Sequence, residues 1–400
     1  MWQKIKNYYH HAQAFLAALF FGFPSQSIKV IGVTGTDGKT TTVHMINQIL
    51  KDAGYKVSMV SSVGAQIGAR TYDTGFHVTT PSAWQIQKYL RRAKDAGHQY
   101  FVLETTSHGL DQNRLSFINF EVGVLTNITH DHLDYHKTWQ NYALAKAKLF
   151  KSVKFSILNL EDPKSLVFVS QIAGGQIITY GLDAKATVSP LNMPLKLKLP
   201  GQYNLLNALA AAAAAGAIGV SKSKIVKTIQ NFKLPKGRLE NVDKDQNFEL
   251  LIDFAHTPNG LEQVLKTLKS KSQGSRLIAV FGAAGNRDSQ KRPAMGKAAD
   301  KYADIIILTA EDPRGEKVEE INAQIVKGIT SKSKDENLFL IEDRKEAIEF
   351  AVAEAQENDI VVLLGKGHEK SMCYGKRETP WDEFKTAKNA LRRLNVKTSQ

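Results

Sequence analysis

Val30-Ile31-Gly32-Val33-Thr34-Gly35-Thr36-Asp37-Gly38-Lys39-Thr40-Thr41-Thr42 is an apolar run, a glycine-bearing turn and a Lys-Thr pair opening a helical pattern. This is the order of a phosphate loop. Glycines let backbone N–H groups approach phosphate oxygens, and a helix N-terminus favours negative charge. The lysine bridges the β- and γ-phosphates, and a hydroxyl can hold Mg²⁺. Strict spacing would want glycine where Val33 stands, so the loop is a variant. Strand before and helix after favour nucleotide binding over an ordinary turn. Asp37 is unusual here because a carboxylate repels phosphate. It either caps the helix at Lys39 or sits near the metal.

Outward from this loop, short apolar runs alternate with helical patterns. A helix over residues 39–53 is followed by YKVSMV, and later by YFVLET and FEVGVLT. A helix over 139–151 leads to FSILNL and a less regular stretch. An alanine-rich helix over 208–217 is opened by Tyr203 and Asn204. Turn residues at Leu234-Pro235-Lys236-Gly237-Arg238 mark a boundary, after which the alternation restarts with FELLIDFA, RLIAVFGA, DIIILTA and DIVVLLG. The expectation is α/β: an apolar N-terminal helix (1–27), a central ATP-binding domain with a parallel sheet (28–235), and a Rossmann-like C-terminal domain (236–400).

Composition is consistent with this. The 400 residues, 42% hydrophobic and 23% charged, suit two or three soluble domains, and not a disordered or fibrous chain. A single cysteine, Cys373, excludes an intrachain disulfide and any multi-cysteine zinc or iron–sulfur site. The net charge of +14 is spread over short segments such as SKSK at 221–224. With no nucleic-acid module present, it points to anionic small substrates or a solvated basic surface. The apolar stretch 12–23 is far below the roughly 20 apolar residues that span a bilayer. It reads as a helix docked on the first domain, with membrane-surface contact as the minor alternative. Trp2, Tyr8, Tyr9, Phe15, Phe20 and Phe21 are its aromatic content.

Several separated motifs fall in one order. They are Gly35-Thr36-Asp37-Gly38-Lys39-Thr40-Thr41-Thr42; Glu104-Thr105-Thr106-Ser107-His108-Gly109-Leu110 at a strand end; and Asn127-Ile128-Thr129-His130-Asp131-His132-Leu133-Asp134-Tyr135-His136. Lys146 in YALAKAKLF follows His132 by 14 residues. Then come GQYNLLNALAA, KGRLE, DFAHTP, GNRD with KRP, TAEDPR and GKGHE. This set resembles the Mur ligases, ATP-dependent amino-acid ligases, and most closely their tripeptide-synthetase branch.

The resemblance implies that Gly35, Thr36, Asp37, Gly38, Lys39, Thr40 and Thr41 bind ATP, together with Asn204, Asn207, Arg238, Asp253 and His256. Asparagine as a helix cap explains Asn204 nearly as well. Thr40, Glu104, His132 and Lys146 would place Mg²⁺. Lys146 would act as its carbamate (N6-carboxylysine), where the residue alone reads as a solvated lysine. His130, Asp131, His132 and Asp134 superficially look like a zinc cluster, which the resemblance replaces with His132 on a second Mg²⁺. The catalytic set implied is Lys39, Glu104, His132 and Lys146.

Thr79, Thr80, Thr106, Gln112 and Arg114 would hold the UDP-MurNAc-dipeptide. Arg287, Glu311, Asp312, Pro313, Arg314, Gly365 and Glu369 would hold the incoming amino acid. Arg314 favours meso-diaminopimelate over L-lysine, because lysine offers no second carboxylate and would leave the guanidinium unpaired. Glu311 and Asp312, where the family has Asp and Asn, add negative charge there. Arg238 is expected to meet ATP when the domains close.

The function implied is a cytoplasmic ligase of peptidoglycan precursor synthesis, serving cell-wall biogenesis, shape and division. It is expected to be a monomer with no nucleic-acid partner and no transmembrane segment. A lysine-adding relative, a folylpolyglutamate-synthase-like ligase and a non-ligating nucleotide-binding protein are the alternatives. Only about 27 residues precede the first strand, so one apolar helix is expected in place of the uridine-binding domain of full-length relatives.

Overall fold

The computed structural model describes residues 2–73, 75, 79–272 and 274–398, without the side chains of Trp2, Lys4 and residues 395–398. Trp2, counted above among the aromatics, therefore lies outside the described side chains. The chain forms two compact units: residues 1–129 with 136–235, and residues 130–135 with 236–400. The segment 130–135, assigned above to the central domain, thus groups with the second unit.

In the first unit, eight strands form one sheet: β1 (Lys29–Thr34), β2 (Val57–Ser61), β3 (Gly64–Ile67), β4 (Arg70–Tyr72), β5 (Tyr100–Glu104), β6 (Phe120–Leu125), β7 (Phe155–Asn159) and β8 (Gln176–Tyr180). Their order is β4-β3-β2-β5-β1-β6-β7-β8. Pairing is parallel from β2 to β8, while β3 and β4 run antiparallel at one edge. Those two short strands, GAQI and RTY, carry too little apolar pattern to be read from sequence.

Strand β1 sits centrally and is buried on both faces, so its side chains divide by the two-residue pleat. Ile31 and Val33 join a core with α2 (Lys39–Asp52) and the helix Gln202–Ala217, whereas Val30 joins a core with α3 (Ala83–Asp95) and the helix Trp139–Ala147. The alanine-rich helix begins at Gln202, with Gly201 as its cap at φ 89°. Asn204 lies inside the first turn and bonds the Pro200 carbonyl at 2.7 Å, so the reading of Asn204 as cap is corrected. Helix α1 (Trp2–Phe20) begins ten residues before the apolar stretch and buries Ala14, Ala17 and Ala18 on the first unit, where it contacts α3.

The second unit has a six-stranded sheet: β9 (Glu240–Asn241), β10 (Glu249–Asp253), β11 (Leu277–Phe281), β12 (Ile305–Leu308), β13 (Leu338–Leu340) and β14 (Ile360–Leu364). The order β13-β12-β11-β14-β10-β9 is parallel except at β9. A hairpin of β15 (Ser371–Tyr374) and β16 (Arg377–Pro380) follows. Both sheets place strand C-termini, and the loops after them, where open α/β sheets gather ligands. No described helix is long and apolar enough to cross a membrane.

Candidate active site

The phosphate loop leaves β1 and enters α2 through two left-handed glycines. Gly35 has φ 152°, and a Cβ there would lie 1.7 Å from Thr126 Oγ1. Gly38 has φ 81°, and its Cβ would lie 2.3 Å from Asn207 Oδ1. Only glycine meets both the angle and the space. Gly38 is the helix cap, so the capping role offered for Asp37 is corrected. Asp37 is held by its backbone, its N–H donating to Asn127 Oδ1 at 3.0 Å and its carbonyl accepting from Thr126 Oγ1 at 2.6 Å. The residues after β6 thus clamp the loop before any ligand arrives. Lys39 folds back over it, its Nζ donating to the carbonyls of Gly35 at 3.1 Å and Thr36 at 2.8 Å.

Glu104 ends β5 beside this loop and is buried. Its carboxylate accepts from Thr40 Oγ1 at 3.0 Å and from the Ser62 N–H at 3.0 Å; Ser62 Oγ lies 2.9 Å from Thr40 Oγ1. The parallel register that pairs β5 with β1 aligns Glu104 with Val33, which brings its side chain to the loop. A carboxylate and two hydroxyls are hard oxygen donors of the kind Mg²⁺ takes alongside phosphate and water, so the donor set fits that ion. Ser62 was missed from sequence. It lies just past a strand pairing with β5, a position visible only once strand order is known.

Lys146 is 1% exposed and lies under the same loop, which overturns its reading as a solvated lysine. Its Nζ donates to the Gly35 carbonyl at 2.6 Å and stands 4.4 Å from the centre of the Tyr142 ring. Tyr142 in turn places its hydroxyl 3.1 Å from Thr36 Oγ1.

Thr80, Thr106 and Arg114 form a second cluster in this unit. Thr106 bonds Thr80 Oγ1 through its N–H at 2.9 Å and its hydroxyl at 3.0 Å, and Arg114 donates to the Thr80 carbonyl at 2.6 Å. Gln112 caps the C-terminal end of α4 (Ser107–Asp111), while Thr79 is half-buried beside Thr80. His136, unassigned from sequence, is buried with its Nε2 3.0 Å from Ser107 Oγ. Burial, then the like charge of His108, pushes its ring down to about 4, so it is neutral at physiological pH.

Asn207 reaches the loop at Gly38, and Asn204 serves its own helix as described.

In the second unit, three of the four residues that look like a zinc cluster are held in ion pairs. His132 Nε2 pairs with Asp131 at 3.3 Å, Lys291 Nζ reaches the other Asp131 oxygen at 3.2 Å, and His130 lies 3.2 Å from Asp288. Burial works to raise the Asp131 carboxyl, but Lys291, His132 and His256 outweigh it and hold it well below the carboxylate range. No group of three or more potential ligands converges as a metal site among the described residues. His132 adopts φ 56°, a left-handed geometry that costs a non-glycine residue about 1–3 kcal/mol.

Asp253 at the end of β10 accepts from the N–H groups of Leu239 at 2.9 Å and Ala255 at 2.8 Å, bracing Arg238 and His256. The Arg238 guanidinium stacks 4.6 Å from the Phe254 ring centre, and His256 Nδ1 lies 2.9 Å from the Phe254 carbonyl.

The TAEDPR turn is tied to the GKGHE turn by Lys366, fully buried and not assigned from sequence. Its Nζ pairs with Asp312 at 2.9 Å and with Glu369 at 2.6 Å. The negative charge that Asp312 adds is therefore balanced within the turn. Asp312 and Arg314 flank Pro313 with φ 46° and 50°. Arg314 is anchored by its N–H to the Cys373 carbonyl at 2.9 Å and by Nη1 to the Gly285 carbonyl at 3.2 Å. Partial burial, then the like charge of Arg314, pushes the Arg287 guanidinium down. Two guanidiniums close enough for one to act on the other are suited to an anion shared between them.

Glu311 is the exception. It is buried against Gly365, where a Cβ would lie 2.6 Å from its Oε2, and that oxygen has no hydrogen-bond partner among the described residues. Burial pushes its carboxyl up to about 8. A folded-state value above the ordinary 4.5 means stability is full below pH about 4.5 and is lost as pH rises towards 8, at roughly 1.4 kcal/mol per unit. Glu311→Gln should remove this slope. Urea unfolding across pH 5 to 8 checks it, and parallel curves for parent and variant would contradict it.

Together, the clamped phosphate loop with its carboxylate and the second doubly wound unit define a nucleotide-using α/β protein of two catalytic-type domains. The description "Mur ligase middle domain" matches residues 33–215, and "Mur ligase, glutamate ligase domain" matches residues 237–367. The chain belongs to the Mur ligase family. It is 39% identical over 403 residues to UDP-N-acetylmuramoyl-L-alanyl-D-glutamate--2,6-diaminopimelate ligase 1 of Clostridium acetobutylicum, covering 96% of this chain and 82% of that one. It is 36% identical to the UDP-N-acetylmuramyl-tripeptide synthetase of Roseiflexus sp., with the same coverage. Among solved structures, a UDP-N-acetylmuramoyl-L-alanyl-D-glutamate--2,6-diaminopimelate ligase superposes with a TM-score of 0.59 at 32% identity, over 92% of this chain and 79% of that one. Escherichia coli FolC in complex with ADP superposes at 0.70 with 22% identity, over 97% and 94%, and speaks to the fold alone.

Proposed function

We propose that this chain is an ATP- and Mg²⁺-dependent ligase that joins meso-diaminopimelate to UDP-MurNAc-L-Ala-D-Glu in the cytoplasm, as a step of peptidoglycan precursor synthesis. The observation that carries the reading is identity of 34–39% along nearly the whole chain to relatives named for that ligation.

The D-glutamyl γ-carboxylate oxygen attacks the γ-phosphorus of ATP, the bond to the bridging β,γ-oxygen breaks, and ADP leaves. The amine nitrogen of diaminopimelate then attacks the acyl-phosphate carbonyl carbon, phosphate departs with the former carboxylate oxygen, and the amine gives up a proton. Both steps bring anions together, so the chain's task is to neutralise and hold charge. Lys39 exchanges its loop carbonyls for phosphate oxygens, and the loop backbone, held by Thr126 and Asn127, presents the N-terminus of α2 to them. Mg²⁺ held by Thr40 and Glu104 supplies further neutralisation of the triphosphate when bound, with His132 as ligand of a second ion.

Lys146 is proposed to act as its carbamate. N-carboxylation by CO₂, with two protons lost from the ammonium, leaves one N–H on Nζ, enough to keep the bond to Gly35, while turning a buried cation into an anion under the phosphate loop. Thr80, Thr106 and Arg114, with Thr79 and Gln112, hold the muramoyl-peptide. Arg287 and Arg314 receive the distal carboxylate of diaminopimelate, with Glu369 and Gly365 beside them. Arg314 is what favours diaminopimelate over lysine. Phosphate release with each substrate alone and with both together tests the proposal; ATP hydrolysis indifferent to both would sink it.

A further inference from the structure

Lys366 stands just past β14 and is fully buried. An ammonium stays charged in such a place only where carboxylates replace the water it has lost. Burial works to lower the Lys366 ammonium, but Glu369 and Asp312 outweigh it and push it up. The Asp312 oxygen that meets Lys366, Oδ1, also accepts from the Cys373 N–H at 2.9 Å. Cys373 lies in β15, and its carbonyl accepts from the Arg314 N–H at 2.9 Å, while the Arg314 carbonyl accepts from the Gly375 N–H at 2.6 Å. Arg314 thereby forms a parallel bridge with Tyr374 of the hairpin.

These ties matter because the turn is strained. Asp312 and Arg314 both hold left-handed backbone, which a non-glycine residue keeps only where its surroundings fix it. The hairpin fixes Arg314, Asp312 fixes the hairpin at Cys373, and Lys366 compensates Asp312. The other pair of the same ammonium goes to Glu369. One buried cation thus connects the backbone that carries Arg314 with the Glu369 carboxylate. The distal end of diaminopimelate bears a carboxylate and an ammonium on a single carbon, so the groups that read them need a fixed separation.

We propose, resting on the ligase reading above, that Lys366 is a positioning residue for amino-acid selection, holding Arg314 through Asp312 and Cys373 while it holds Glu369 directly. Lys366→Met should raise the KM for diaminopimelate by roughly tenfold or more, with kcat and the KM for ATP within about twofold of parental. A purely structural role would lower the active fraction, and so the apparent kcat, without moving either KM. Adding Asp312→Asn should return the KM for diaminopimelate to within about threefold, because an amide oxygen accepts from the Cys373 N–H without a cation beside it. Amide exchange of residues 371–376, followed by mass spectrometry, reads the same tie without catalysis. It should speed up by roughly tenfold in Lys366→Met and slow again in the double variant. Lys366→Gln, whose amide still donates to one carboxylate, should shift KM and exchange in the same directions by less, and takes over if Lys366→Met does not fold. Parental KM or parental exchange in the folded variant, equal rises in both KM values, or no rescue by Asp312→Asn would overturn the proposal. A parent that forms no amide product would overturn the ligase reading itself, a result distinct from all of these.

Discussion

Lys39→Met should lower the rate of substrate-dependent ADP formation by roughly a thousandfold or more, with little change in melting temperature. The two halves of this expectation come from the same geometry. Lys39 Nζ contacts only loop carbonyls in the contacts described above, and the loop is fixed independently by Thr126 and Asn127. Methionine keeps the length and loses the charge, so the backbone cradle persists without its cation. The loss should fall on kcat more than on the KM for ATP, because charge builds on the transferring phosphoryl group as the bond to ADP breaks. Parental turnover would remove Lys39 from the chemistry. A collapse in melting temperature would show that its bonds to Gly35 and Thr36 hold the loop.

Arg314→Ala should raise the KM for diaminopimelate by roughly a hundredfold, the cost of removing one partner of a charge-assisted pair. Three observations support an effect of this size. The arginine backbone is held in a left-handed conformation at φ 50°; its guanidinium acts on that of Arg287, pushing it down; and the charge of the nearby Asp312 is offset by its pair with Lys366. Lysine as substrate should feel little change, because it brings no second carboxylate, and the preference for diaminopimelate should therefore collapse. Arg314→Gly sharpens the test, since glycine accepts the left-handed backbone without strain. It should fold at least as stably as Arg314→Ala and still lose diaminopimelate. Near-parental KM in either variant would remove Arg314 from amino-acid selection.

The sequence carried the fold through particular runs. IKVIGV, YFVLE and FEVGVL are apolar on both sides, as strands of a parallel sheet must be, and the glycine turn with Lys39 fixes where the first of them ends. The short strands β3, β4 and β9, at or next to a sheet edge, were not legible, because strands of two to four residues carry too little apolar alternation to be read. Boundaries were lost where the cue was local. Asn204 is a better cap by composition than Gly201, but the left-handed turn required the glycine.

The candidate site was legible where chemistry is written in one short motif, as at Gly35 to Thr40. It was not legible where contact depends on strand order or burial. Ser62 meets Glu104 only because β2 pairs with β5. Lys146 reads as solvated until the helix that carries it is packed under the loop. Lys366 stands in a motif quoted above, but its partners are 54 residues upstream at Asp312 and three residues on at Glu369. The negative charge that Glu311 and Asp312 add to the sequence is met differently at each: Asp312 is paired, and Glu311 is neutralised by its own proton at physiological pH.

Product formation from ATP, UDP-MurNAc-L-Ala-D-Glu and diaminopimelate tests the central claim most directly. With the D-glutamyl γ-carboxylate labelled with heavy oxygen, phosphate release should require both substrates, yield the tripeptide, and carry one labelled oxygen into phosphate. Phosphate released at the same rate without either substrate, or without label in it, would contradict the account.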